Sequence, residues 1–247
     1  MLKHMTYLLL LASLFLTQQL IAKDNITAAI NHSDRPAADT KIDDNRKPDQ
    51  VLKLSEVEEG DKVLDFFAGG GYYTELIARV VGEKGQVTSH NNKAYLQYVG
   101  DQVKVRFADN RLSNATHVVA ETDELTLEEN SYDAIFLMMT FHDFYLNSPN
   151  WQAINVDALL PRLNRALKSD GVLMLTDHIG PDADIADNSN RLHRIFPAHV
   201  KEAFAKAGFT LDTEADFLLN ADDPLTISVF DPSIRGKTSR LVFKFRK

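Results

Sequence analysis

The 247-residue sequence predicts an α/β protein built on a doubly wound parallel sheet, and three observations carry that prediction. Apolar runs of strand length alternate with segments of helical period, as in successive β-α-β units. Two central runs, in "SYDAIFLMMTFHDFY" and "GVLMLTDH", are continuously apolar at first, as strands covered on both faces are. The first strand, Lys62 to Phe67, leads into Gly69-Gly70-Gly71, a turn open to positive φ, before a helical run begins.

The chain starts with "MLKHMTYLLLLASLFLTQQLIAKD": Lys3, an apolar stretch from about Tyr7 to Leu16, then Leu20-Ile21-Ala22 ahead of Lys23. This is the layout of a secretory signal peptide over residues 1–22, because a spanning helix needs about 20 apolar residues and the stretch is roughly half that. The expectation is export to the periplasm or the extracellular space, with no stable membrane anchor after cleavage. Residues 23–58 read as a polar N-terminal arm punctuated by Pro36 and Pro48. They end in a short helix that buries Val51, Leu52 and Leu54 and stops at Gly60-Asp61. Residues 59–247 form the main domain.

Within it, Tyr73, Leu76, Ile77, Val80 and Val81 fall at helical spacing up to Gly82. "GQVTSHN" and "THVVAE" supply the second and third strands. Val156, Leu159, Leu160, Leu163 and Leu167 line one face of a helix that runs to the Ser169-Asp170-Gly171 turn, with Pro161 near its start. Pro197 to Ala207 is a helix with proline at its start and Gly208 just past its end. "FTLDTEADFL" is a strand. "RLVFKFR" sets Leu241, Phe243 and Phe245 against Val242, Lys244 and Arg246, as an edge or antiparallel strand would.

A net charge of −8 with mixed signs along the chain gives no basic stripe for a phosphate backbone, so a small molecule is expected as partner rather than nucleic acid. With no cysteine, thiolate metal sites, disulfides and cysteine nucleophiles are excluded. The glycine turn is either a plain tight turn or a ligand floor at the carboxyl edge of the sheet. Asp65, at the end of the strand, can receive donors from a ligand. A dinucleotide motif started at Gly69 would need glycine where Thr74 stands.

"VLDFFAGGGYYTELIAR" resembles the first motif of class I S-adenosylmethionine-dependent methyltransferases, with Asp65, Gly69 and Gly71 matching and Phe67 where the first glycine is usual. The resemblance runs from about Arg35 to the C-terminus, through "LNRALKSDGVLMLTDH" and "AGFTL...LVFKFRK". More narrowly, "FAGGGYY", the "HD" after the fourth strand, "LHRI" and "FDPSIRGK" are similar to a branch of predicted methyltransferases, many of them exported. It implies a Rossmann-like seven-stranded sheet in the order 3-2-1-4-5-7-6 with strand 7 antiparallel. It implies S-adenosylmethionine as cofactor over Asp65, Phe67, Ala68, Gly69, Gly70 and Gly71. Asn91 stands where the family's acid meets the ribose, and Glu121 and Thr122 lie in the region that meets the adenine or else belong to a solvated acidic loop.

The pairs His142-Asp143 and Asp177-His178 end the fourth and fifth strands and should open onto one cleft. His142 is nominated as the base, with Asp143 as its partner or a substrate contact and His178 beside them. The same groups suit a metal, a minority reading against which the expectation is no metal. Arg46 and Lys47 place the arm where it can close this cleft, with Asp39, Asp43 and Asp44 expected to pair with the arm's own bases. The function expected is methyl transfer to an unidentified small molecule in the cell envelope, the alternative being an exported ligand-binding protein that kept the fold without catalysis.

Overall fold

The computed structural model describes residues 25–247, so the expected signal peptide at residues 1–22 lies outside it. A helical run over residues 25–30 leads into α1 (Ala37–Thr40), α2 (Asp43–Arg46) and α3 (Pro48–Ser55). Then β1 (Lys62–Phe66), α4 (Tyr72–Val81), β2 (Gln86–Asn91), α5 (Lys93–Phe107), β3 (Ala115–Val119) and β4 (Tyr132–Met138) follow. The chain continues through α6 (Val156–Ala166), β5 (Leu167–His178), α7 (Pro197–Lys206), β6 (Thr210–Ala215) and β7 (Arg240–Arg246).

The seven strands lie in the order β3-β2-β1-β4-β5-β7-β6, with β7 antiparallel to both of its neighbours and the pairs from β3 to β5 parallel. Because side chains alternate across a strand, each central strand feeds two cores. Leu64, Ile135 and Leu173 pack beneath α6 and α7, while Val63, Ala134 and Met174 pack beneath α3 and α4. The carboxyl ends of β1, β2, β4 and β5 therefore meet at one edge, where the loops build the site.

Two expectations on elements are corrected. The helix after residue 156 ends at Ala166 rather than at the Ser169-Asp170-Gly171 turn, because Leu167 already pairs with Tyr132 and β5 absorbs a register shift there. Pro161 stands in the second turn of α6, where its missing N–H removes one helical bond. The edge alternative for "RLVFKFR" also falls. β7 lies between β5 and β6, and its polar face is covered as well, with Lys244 buried and paired to Glu56 at 2.6 Å and Asp212 at 2.8 Å.

The arm lies on the domain. Ile26 and Ala29 join Val51 and Leu52 in the core beneath α4, and Asp43 takes a bidentate pair from Arg35 at 2.7 and 2.8 Å. Asp39 departs from the expectation of pairing within the arm. It accepts from Arg106 of α5 at 2.7 Å, so the arm is bolted to the neighbouring helix. Among the described residues, no helix is long and apolar enough to cross a membrane.

Candidate active site

The turn after β1 is held by backbone bonds that glycine and small residues permit. Ala68 N–H donates to the carbonyl of His90 at 2.8 Å, and Gly71 N–H to that of Ala68 at 3.0 Å. Gly69 has φ 57° and Gly71 φ 80°. Phe67, where the family's first glycine is usual, also has a positive φ, 57°. A bulky residue there is strained by about 1–3 kcal/mol, and burial of its ring among Phe66, His90, Tyr95, Phe144 and Trp151 offsets that cost.

Asp65 is buried under the turn and accepts from the Thr74 hydroxyl at 2.5 Å. Burial pushes its carboxyl up to about 6, against the Thr74 hydrogen bonds and the charges of Arg46 and Arg106. A buried acid raised in this way gains from any cation brought beside it.

Over the turn lies a cavity of about 280 Å³. Phe67, Ala68, Gly69 and Gly70 wall one side, Met138, Met139 and Thr140 at the end of β4 another. Asp39, Ile42 and Arg46 of the arm close it from one direction, and Tyr95, Val99, Gln102 and Arg106 of α5 from the other. The approach of α5 crowds the second glycine of the run: a Cβ on Gly70 would meet Gln102 Oε1 at 2.2 Å, the end of an exposed side chain that has to swing aside. Arg106 fixes this closure, donating to the Gly70 carbonyl at 3.0 Å while pairing with Asp39 and with Glu75 of α4.

Asn91 is fully buried behind the turn. Its Oδ1 accepts from Gly69 N–H and its Nδ2 donates to the Gly69 carbonyl, both at 2.9 Å. The placement as a ribose contact is therefore corrected: both ends of the amide are spent on positioning the glycine turn. Glu121 and Thr122 line no part of the cavity; Glu121 Oε1 accepts from Lys93 N–H at 3.3 Å and the Thr122 carbonyl from Arg162 at 2.6 Å.

The second half of the site stands at the ends of β4 and β5. The two His/Asp pairs meet at the carboxyl edge and contact each other. His142 Nδ1 lies 2.7 Å from Asp177 Oδ1, its backbone N–H donates to Asp177 Oδ2 at 2.8 Å, and its Nε2 lies 3.0 Å from Asp143 Oδ1. Burial alone would lower the His142 pKa, but the Asp143 and Asp177 carboxylates raise it to about 10. Both ring nitrogens face carboxylates in this arrangement, so the nominated base has no free nitrogen for a substrate proton while these contacts hold.

Asp143 is held well below the carboxylate range despite burial, by His142 first and then by hydrogen bonds from His193 and Tyr95. His178 is pushed well below 6.5 by burial and by the positive charges of His142 and Arg240, so it stays neutral, with Nδ1 2.7 Å from Thr238 Oγ1. Arg194 of "LHRI" is a clamp, fully buried and bidentate to Asp223 at 2.9 Å.

Tyr95 is the residue that sequence reasoning missed. It walls the cavity and donates its hydroxyl to Asp143 Oδ2, joining the two halves. The only available signal was its position in the first turn of α5, three residues past Asn92, whose side chain caps that helix by accepting from Tyr95 N–H at 2.9 Å. Asp143 does partner His142, through Nε2 at 3.0 Å, and Asp177 is a second carboxylate that holds the ring from Nδ1 at 2.7 Å.

A family model of the methyltransferase domain matches residues 57–221. The ubiquinone/menaquinone biosynthesis C-methyltransferase UbiE of Teredinibacter turnerae is 27% identical over 144 residues, 58% of this chain and 53% of that protein. The UbiE of Shewanella oneidensis is 24% identical over 167 residues, 67% of this chain and 59% of its own. The chain thus spans between half and three fifths of these curated relatives. Among solved structures, an S-adenosylmethionine-dependent methyltransferase from Aquifex aeolicus superposes with a TM-score of 0.56 at 22% identity, covering 86% of this chain and 99% of that one. The cyclase SpnF superposes at 0.57 and 16% identity over 82% and 81% of the two chains. With the matched model covering most of the main domain and the sheet in the order 3-2-1-4-5-7-6, the chain belongs to the methyltransferase-domain family and has the class I S-adenosylmethionine-dependent fold.

Proposed function

We propose that this protein is an exported enzyme that transfers a methyl group from S-adenosylmethionine to a small molecule in the cell envelope. The observation that carries the reading is the cavity over the Phe67–Gly70 turn, which follows the buried Asp65 at the end of β1 and has in its wall a polar group without a partner among the described residues. That group is Thr140 Oγ1, buried without a hydrogen bond. The residues present fit the methionine end of the cofactor, which carries cationic groups that Asp65 would favour. When bound, the cofactor supplies an electrophilic methyl group on a sulfonium.

The chain's own contribution is positional. The Asn91 amide and the glycine backbone fix the floor, and the arm residues Asp39, Ile42 and Arg46 limit water above it. Holding an acceptor in line in a closed site lowers the barrier mainly through orientation. Tyr95, shared by the cavity and the His/Asp cluster, gives the acceptor its wall on the β4 and β5 side. Export rests on the layout of residues 1–22.

A second reading is ligand binding without turnover. It draws on Gln102 and Arg106, which stand against Gly70 and Gly71 where a ligand would run along the turn, and on Asn91, which brings no acid to a ribose. The fold's presence in a protein named for cyclisation shows that the scaffold is not restricted to proteins named as methyltransferases.

Calorimetric titration of the protein with S-adenosylmethionine and S-adenosylhomocysteine tests both readings. Binding that Asp65→Ala abolishes is expected. No heat up to millimolar ligand, the weak end of specific binding, overturns the cofactor assignment. Binding without methyl transfer across a panel of acceptors selects the second reading.

A further inference from the structure

The His/Asp cluster contains more ligating atoms than an ion pair requires. His142 Nε2 lies 3.0 Å from Asp143 Oδ1, and His193 Nδ1 lies 3.6 Å from the same oxygen. The three ligating atoms all fall within 4.8 Å of one another. With metal–ligand bonds near 2.0–2.1 Å, two donors on a tetrahedral ion stand about 3.4 Å apart, and the two measured separations bracket that value. We propose that His142 Nε2, Asp143 Oδ1 and His193 Nδ1 form a binding site for one divalent transition-metal ion.

The surroundings are those of a built site. A ligating histidine ordinarily donates its other ring N–H to a carboxylate, which fixes its tautomer and orientation. Asp177 plays that part: it is fully buried, 2.7 Å from His142 Nδ1, and also accepts from the His142 backbone. The second oxygen of Asp143 is held by the Tyr95 hydroxyl, leaving Oδ1 as the atom that faces both histidines.

His193 is delivered by an unusual backbone. It ends a π-helical turn over Asn188–Leu192 with φ 53°, a left-handed conformation rare for a residue other than glycine. Strain of this kind concentrates at ligand clamps. The Phe230 ring packs edge-on to the imidazole, with centroids 4.8 Å apart. The His193 side chain keeps 27% of its surface exposed, which gives an ion a way in.

Two imidazoles and one carboxylate suit zinc, iron, manganese or cobalt and leave coordination open for an oxygen ligand. Coordination displaces the proton held between His142 Nε2 and Asp143 Oδ1, because a ligating imidazole binds through its lone pair, so binding releases a proton and weakens at low pH. The metal assignment rests on the cluster alone, so a failure of S-adenosylmethionine to bind leaves it standing.

The test uses full-length protein stripped with EDTA and titrated with zinc(II) by calorimetry and with cobalt(II) by visible spectroscopy. One ion per chain is expected, with cobalt d–d bands of four- or five-coordinate intensity. His193→Asn, in which asparagine accepts the left-handed backbone, should weaken zinc affinity at least 100-fold, and the isosteric Asp143→Asn similarly. Asp177→Asn should weaken it about 10- to 100-fold through the orientation of His142. Thermal melts in EDTA establish that each variant is folded. No stoichiometric binding by the wild type, or the same affinity in folded His193→Asn and Asp143→Asn, overturns the proposal.

Discussion

The two halves of the site occupy neighbouring stretches of one sheet edge and are built on opposite principles. After β1 and β2, the floor is fixed by backbone: glycines with positive φ, an amide closed on Gly69, and the buried Asp65 carboxyl bonded to Thr74, with ion pairs confined to the cover that Arg106 makes with Asp39 and Glu75. After β4 and β5, position is fixed by charge: one imidazolium between two carboxylates, with tyrosine and a second histidine at the rim. The first half leaves room and an unmet demand for positive charge. The second holds its charged groups against one another in a buried network, and disturbing it should therefore cost more.

Asp177→Ala is expected to have the largest effect. It removes one carboxylate of a buried, hydrogen-bonded set and leaves His142 without its Nδ1 partner, a change that typically costs about 3–5 kcal/mol. Urea denaturation in EDTA measures it, and a loss below 1 kcal/mol would show the network to be weak.

Asp65→Asn should act in the opposite direction on stability. With Asp65 raised from 3.8 to about 6, ionising it in the folded protein costs about 3 kcal/mol more than in the unfolded chain. The wild-type carboxyl is uncharged and unpenalised below pH 4, and the penalty grows as pH rises to 6. The variant should therefore match the wild type below pH 4 and exceed its stability by on the order of 2–3 kcal/mol above pH 6. Ligand binding should show the converse. A cationic ligand selects the ionised acid, so wild-type affinity for S-adenosylmethionine should fall about tenfold for each pH unit below 6, whereas the variant binds weakly at every pH. Equal stability of the two proteins at pH 7 would mean that Asp65 is not penalised by burial.

The same contrast explains what was legible in the sequence. The glycine turn announces itself because a backbone that approaches its neighbours closely tolerates few residue types, and Gly69, Gly70 and Gly71 stand consecutively after an apolar run. The strand order followed from the resemblance that those residues carry. The His/Asp half was legible only as a location. Adjacent residues at two strand ends foretell that the pairs meet, but not which nitrogen faces which carboxylate. That depends on register, here Met138 beside Thr176 at the paired ends of β4 and β5. Contacts from α5 were invisible, since Tyr95, Gln102 and Arg106 lie in a helix of mixed polarity with nothing to mark its inner face. The arm's Asp39 was misread for the same reason: its partner, Arg106, is remote in the sequence.

Asn91→Asp sharpens the comparison from the backbone side. An acid at this position would suit a ribose if the side chain faced the cavity. In the structure Nδ2 donates to the Gly69 carbonyl, and a carboxylate oxygen would set charge against that carbonyl in a buried place. The substitution should cost about 1–3 kcal/mol of stability and weaken S-adenosylmethionine binding by loosening the turn. Tighter binding in a protein of unchanged stability would return Asn91 to the ribose.

Gln102→Ala has the smallest expected effect and decides whether α5 is a wall or a movable cover. Gln102 is exposed and packs its amide where a Cβ on Gly70 would stand, so truncation should change stability by no more than about 0.5 kcal/mol. If a ligand along the turn must first displace this side chain, it pays for ordering it elsewhere, about 0.5–1.5 kcal/mol for a rotamer-rich side chain. Removing the amide would then tighten S-adenosylmethionine binding about two- to tenfold. If the amide instead contacts the ligand, truncation weakens binding by a comparable factor. The sign of the change therefore tells whether the α5 side chain that stands against Gly70 holds the ligand or competes with it.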